Sequence, residues 1–147
     1  MSSIFKTQDM IEDINDMHSK FGVSNWVRDH YDQNDMETLR AFLAFRLDFL
    51  EEELTETVRA FAKKDADGIV DGLIDLMVIA IGTLDAFNCD TRAAWKEVHE
   101  QNMKKEKGIK ESRPNPLGLP DMIKPKHWQD PSHMNHTGIL DKVLLQK

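Results

Sequence analysis

One cysteine, Cys89, stands in a chain of 147 residues, so neither an internal disulfide nor a thiolate metal cluster is available. Such usage fits a reducing compartment. Basic residues are also in short supply: 19 Lys and Arg face 26 Asp and Glu, a formal net charge of -7 with a pI near 5.3. That balance argues against non-specific binding to nucleic acid or anionic membrane, because both depend on basic patches. A polyanionic ligand must arrive with a metal ion or find a local basic cluster. No uninterrupted apolar run approaches the roughly 18 residues of a membrane span. The longest candidate, Leu73 to Phe87, contains Asp75 and Asp85 and reads as a core helix. The N-terminal stretch lacks the basic start and apolar core of a signal peptide, so a cytoplasmic location is expected. Gly-rich phosphate loops, strand-period runs and internal repeats are missing too. All five prolines fall from Pro114 onward, which leaves everything before them open to helix.

What the chain does have is helical periodicity. With 40% hydrophobic residues it can build one core. Thr7 is placed to cap a first helix in which Met10, Ile11, Ile14, Met17, His18 and Phe21 recur at helical spacing, with Gly22 as a left-handed stop. Val23 to Asn34 shows no sustained period and is expected to be a loop or short turn. Asp35 caps a long second helix running to about Lys63, with Leu39, Phe42, Leu43, Phe49, Leu50, Leu54, Val58 and Phe61 on its apolar side. Lys63 to Gly68 forms the turn of a helical hairpin, with positive charge at a helix C-terminus. The third helix, from Ile69 to Leu84, is apolar almost all round and is expected at the centre of the fold, which would place Asp75 in a core helix. A fourth helix starts at Asp90 or Thr91 and ends near Lys107. The expected architecture is an all-α four-helix bundle followed by an extended, proline-rich strap without helix or strand. A last short helix is expected between Gly138 and Lys147, in a stretch whose removal after Asp130 should matter less than loss of the strap.

The acids stand out against this pattern. Glu52 and Glu56 are four apart, Glu53 and Glu56 three apart, and Asp71 and Asp75 four apart, so each set projects from one helical face. Like charges at these spacings repel unless a cation or proton intervenes. Across a turn at 64–67, Glu56 and Asp75 fall at equal height, with Asp71 one turn nearer the loop and Glu52 and Glu53 one turn farther. Oxygen-only ligands in that number suit Mg²⁺, with Mn²⁺ possible. Taken alone, Glu51 to Glu53 also reads as a solvated helix face. A di-iron centre would need Glu three residues before a His, a spacing that none of the six histidines has. His127, His133 and His136 invite comparison with a zinc cluster, yet their irregular spacing and the lack of nearby cysteines favour surface histidines.

Three segments carry a family resemblance. Leu50-Glu51-Glu52-Glu53-Leu54-Thr55-Glu56 resembles an EExxE motif, and Asp71-Gly72-Leu73-Ile74-Asp75-Leu76 resembles the acidic pair that follows it, with Gly82 beyond. Glu97 to Lys105 is similar to an EVHxxNMxK segment. Together they resemble the MazG-like branch of the all-α nucleoside triphosphate pyrophosphohydrolases, a superfamily that includes dimeric dUTPases, dCTPases and phosphoribosyl-ATP pyrophosphohydrolase. One departure is that the family usually has ExxD in the third helix, whereas Gly72 lies three before Asp75, so Asp71 must supply the second carboxylate.

The resemblance implies a helical catalytic domain over residues 1–107, with a strap and tail helix over 108–147 packed on it. It implies hydrolysis of the α-β bond of a (d)NTP to (d)NMP and pyrophosphate, with phosphoribosyl-ATP or another nucleotide as the alternative substrate. A helical interaction or regulatory module is the reading from another class. Glu53, Glu56, Asp71 and Asp75 become the metal ligands, and Glu52 and Glu53 the catalytic acids, Glu52 orienting or deprotonating water. Lys104, Lys105 and Arg113 are the candidate phosphate contacts, and Asn102, Trp26 and Trp95 the candidate base contacts. Family members are dimers or tetramers with the active site near the subunit interface, so a homodimer or homotetramer is expected.

Overall fold

In the computed structural model, residues 8–112, 117–118 and 121–147 are described. Asp9 caps α1 (Met10–Lys20) by accepting from the backbone N–H of Glu12 at 2.9 Å; Thr7, the expected cap, lies outside the described residues. Gly22 takes the left-handed conformation at φ 81°, and the chain then enters α2 (Val23–Asp32). The expected loop is therefore a helix. Its apolar residues, Val23, Trp26, Val27 and Tyr31, do share one face, but Ser24, Asn25 and Asp29 dilute the pattern. Burial of Val27 and edge packing of Trp26 on Phe42 at 5.1 Å fix what propensity alone does not.

Local caps set the next two helices. Asp35 accepts from Thr38 N–H at 3.2 Å and starts α3 (Met36–Ala62). Lys63 ends it, Lys64 turns at φ 59°, and Asp65 accepts from Gly68 N–H at 3.0 Å to start α4 (Ala66–Ala86). This is the expected hairpin, with α3 ending where expected and α4 starting three residues earlier and ending two later than the Ile69–Leu84 of its apolar pattern, because Asp65 caps it. The core sits at the end of the hairpin away from that turn, where Leu39 and Phe87 are wholly buried with Val27, Met36 and Ala86.

α4 departs from expectation, since it is not enclosed by its own chain. Val70, Leu73, Ile74 and Met77 are exposed, and Asp75 is only half-buried. α1 crosses the other face, where His18 Nδ1 meets Asp85 at 2.9 Å and Asn15 donates to the same carboxylate at 2.9 Å. Arg46 ties α3 to α4 through Thr83 Oγ1 at 3.1 Å and the Ile79 carbonyl at 3.0 Å.

The expected last short helix is α6 (Leu140–Leu145), and it belongs to this core. Val143 is wholly buried beside Leu39 and Phe87. Arg40 Nη1 donates to the carbonyls of Val143 at 2.8 Å and Gln146 at 2.9 Å, satisfying the helix end. Gly138, at φ 56°, brings the chain so close to the Phe87 carbonyl that a Cβ would lie 2.3 Å away. A chain ending at Gly138 is expected to lose about 3 kcal/mol or more, from the Val143 side chain and the Arg40 hydrogen bonds. Urea unfolding followed by circular dichroism checks this.

The described part of Met1–Thr91 with Thr137–Lys147 makes one compact unit, and Arg92–His136 a second. The second unit contains most of α5 (Thr91–Met103) and an antiparallel pair, β1 (Glu106–Gly108) and β2 (Asp121–Ile123), with Lys107 opposite Met122. The strap was expected to lack strands. Strands of three residues carry no readable period, and Pro114, Pro116 and Pro120 fall between them in sequence, where no ladder donor is required. Trp128 Nε1 donates to the Gln101 carbonyl at 2.7 Å, fastening the segment after β2 to α5. No helix among the described residues is long and apolar enough to cross a membrane.

Candidate active site

The acids lie beside a close contact between α3 and α4. Gly72 is buried, and a Cβ on it would fall 2.1 Å from Thr57 Oγ1 and 3.1 Å from Thr57 Cβ. Thr57 is itself buried, its hydroxyl donating to the Glu53 carbonyl at 2.7 Å. A hydrogen atom at position 72 therefore sets the spacing of the two helices. On α3 Glu53 lies one turn before the contact and Glu56 immediately before it, and Asp71 and Asp75 flank it on α4. The crossing also explains the departure at Gly72: a glutamate there would meet Thr57, so the second carboxylate comes from Asp71.

Glu53 is the electrostatic centre of the group. Its carboxyl is pushed above the ordinary 4.5, first by loss of water around a half-buried side chain, then by the charges of Glu56, Asp75, Glu52 and Asp71. Five carboxylates thus act on one another across a single helix pair. Glu53, Glu56 and Asp71 also line a cleft of about 340 Å³. Among the described residues, no three acids or histidines are drawn together tightly enough to hold a metal ion as they stand. The donor set nonetheless fits a hard divalent cation, since it is all oxygen and its mutual repulsion is the kind a cation relieves. Glu52, Glu56 and Asp71 are exposed on side chains with rotatable bonds, so their carboxylates are free to reorient.

Sequence reasoning missed two cations and the two residues of the crossing. Arg59 and Lys63 line the same cleft, three and seven residues after Glu56. That spacing was a usable signal, obscured because both residues also suit a helix C-terminus. Thr57 gave no signal and Gly72 only its departure from the motif, because their roles exist only once the helices cross.

None of the other described sequence candidates is among the residues lining this cleft. Trp26 stacks near His30 and Phe42. Phe42 precedes Glu53 by eleven residues, roughly 16 Å along α3 at 1.5 Å per residue. Trp95, Asn102, Lys104 and Lys105 belong to the second unit, where Trp95 is 72% exposed, Asn102 is half-buried and Lys105 Nζ lies 5.1 Å from the Trp128 ring. Arg113 lies outside the described residues.

The family model for phosphoribosyl-ATP pyrophosphohydrolase matches residues 23–102, more than half of the chain and including all five carboxylates. No curated protein and no solved structure matches. A helical hairpin with paired acids on both arms, held at fixed spacing by Thr57 and Gly72, and a family match spanning that hairpin lead to one conclusion: the chain belongs to the phosphoribosyl-ATP pyrophosphohydrolase family, within the MazG-like all-α superfamily, and is a nucleotide pyrophosphohydrolase.

Proposed function

We propose that the substrate is a (deoxy)nucleoside triphosphate, cleaved at the α-β phosphoanhydride bond to (d)NMP and pyrophosphate. The observation that carries this reading is the mutual repulsion centred on Glu53, which calls for divalent cations of the kind that accompany a triphosphate. Glu53, Glu56, Asp71 and Asp75 would hold Mg²⁺, or Mn²⁺ in its place. When bound, such an ion neutralises phosphate charge, polarises the attacked phosphorus and lowers the pKa of a bound water.

The chain's own residues do the rest. A carboxylate accepts the proton of the attacking water as the new P–O bond forms and the bond to the bridging oxygen breaks. Glu52 is the candidate for that role, and Glu53 is the acid whose proton affinity is raised, first by loss of water and then by its acidic neighbours. Arg59 and Lys63 are the cations that the cleft itself supplies for phosphate oxygens. Lys104, Lys105, Arg113, Asn102, Trp26 and Trp95 are the contacts that the resemblance adds.

A second reading, hydrolysis of phosphoribosyl-ATP, is favoured by the family model that matches the hairpin. Pyrophosphate release measured with Mg²⁺ on all canonical NTPs and dNTPs and on phosphoribosyl-ATP separates the two. Turnover of at least one canonical nucleotide is expected. Release from phosphoribosyl-ATP alone would transfer the assignment to the second reading, and release from none would contradict both.

Self-association belongs to the same proposal. Leu47, Leu54, Val58 and Phe61 form an exposed stripe on α3, and Val70, Leu73, Ile74 and Met77 another on α4, with Phe61 74% and Val70 64% exposed. Surface of this kind is unusual on a monomer. Each such side chain gains roughly 1.5 to 3 kcal/mol when buried, which favours a second copy of the hairpin as its cover. Light scattering is expected to give a dimeric or tetrameric mass at micromolar concentration, and a monomeric mass would contradict the proposal.

A further inference from the structure

The turn at residues 133–136 brings together two imidazoles that the reaction above does not use. His133 and His136 face each other with Nδ1 atoms 3.2 Å apart and ring centroids 5.5 Å apart. The backbone fixes that spacing: His136 N–H donates to the His133 carbonyl at 2.8 Å, and Ser132 N–H donates to Glu97 Oε1 on α5 at 3.3 Å just before the turn. Both rings retain access to solvent, His133 being exposed and His136 half-buried.

The separation is close to that of a metal chelate once each ring tilts off the N–N line along which the two now point. Two imidazole nitrogens each about 2.0 to 2.1 Å from a tetrahedral ion lie about 3.3 to 3.4 Å from one another. The observed 3.2 Å is within ~0.2 Å of that edge, the tolerance appropriate to a candidate site. We propose that His133 and His136 form a binding site for a divalent first-row transition ion through their Nδ1 atoms. Imidazole pairs select Zn²⁺, Co²⁺, Ni²⁺ or Cu²⁺ over Mg²⁺, which prefers oxygen. Among the described residues no third His, Cys, Asp or Glu completes the set, so water fills the other positions and the site is an open one. Without an ion, one imidazole N–H donates to the other ring nitrogen across the same gap, and the ion displaces that shared proton.

The test is a calorimetric titration of the full, untagged chain with Ni²⁺ in excess Mg²⁺, so that carboxylate sites are occupied and imidazole sites are not. One equivalent is expected to bind, and His133→Gln or His136→Gln should weaken that binding by more than about 10-fold, since loss of a direct ligand exceeds the loss seen for outer partners. His127→Gln and Glu53→Gln should leave it unchanged. Wild-type binding no stronger than that of the doubly substituted chain, or full binding retained in both single variants, would overturn the proposal. Both imidazoles lie in a surface turn, so their replacement leaves the core intact.

Discussion

Glu53→Gln, Glu56→Gln and Asp75→Asn are each expected to lower pyrophosphate release by more than about 100-fold at saturating Mg²⁺, the upper end of what loss of an outer partner alone costs a metal site. Helix content should be unchanged, because an amide keeps the volume of the acid and none of the three is fully buried. Asp71→Asn should be milder, given its displaced position in the motif. The same variants carry a stability signature of opposite sign. Glu53 has a raised carboxyl pKa in the folded chain, so its contribution to stability is intact below the ordinary 4.5 and is lost as pH rises through the folded value. Without divalent metal, Glu53→Gln should therefore melt above wild type at neutral pH, and the gap should close on acidification below 4.5. Wild-type turnover in all three variants, or a lower melting temperature for Glu53→Gln at pH 7, would count against the site.

Gly72→Ala is expected to be nearly as damaging, through geometry alone. Alanine is the better helix former by about 1 kcal/mol, but its Cβ would sit 2.1 Å from Thr57 Oγ1 on a side chain held by its bond to the Glu53 carbonyl. Overpacking of this kind costs about 1 to 3 kcal/mol, so the net change is destabilising. The helices must also separate, carrying Glu53 and Glu56 away from Asp71 and Asp75. A displacement near 1 Å can cost about 100-fold in rate. Removing the opposing hydroxyl with Thr57→Ala should restore part of the stability and activity, leaving a 3.1 Å contact with Thr57 Cβ to relax. Melting temperature and steady-state rate across the four members of this cycle check it. Equal activity in Gly72→Ala and wild type would show that the crossing does not set the site.

These residues show which parts of the molecule the sequence made legible. α3 was readable to within a residue and α4 to within a turn because their ends are local chemistry: Asp35 and Asp65 accept from backbone N–H groups three residues on, and Lys63 and Lys64 close the turn. The acids were readable because like charges at helical spacing violate the expected pattern. α2 was not, since its four apolar residues make a helix only when α3 offers Phe42 to pack on. Nor was the cover of α4, because periodicity reports that a face is apolar but not whether the same chain buries it. The core role of α6 depends on a contact more than a hundred residues away in sequence, between Arg40 and the Val143 carbonyl, which no local signal encodes. Thr57 and Gly72 belong with these, being ordinary residues until two helices cross.

The central claim is that the carboxylates on α3 and α4 form one divalent-cation site. Electron paramagnetic resonance of Mn²⁺ titrated into the full chain measures this most directly, since free Mn²⁺ gives a strong signal that binding removes, and oxygen ligands suit this ion better than the imidazole pair does. Wild-type protein is expected to deplete the free signal, with excess Mg²⁺ restoring it and the Glu53→Gln, Asp75→Asn double variant failing to deplete it. Equal depletion by the double variant and wild type would contradict the site.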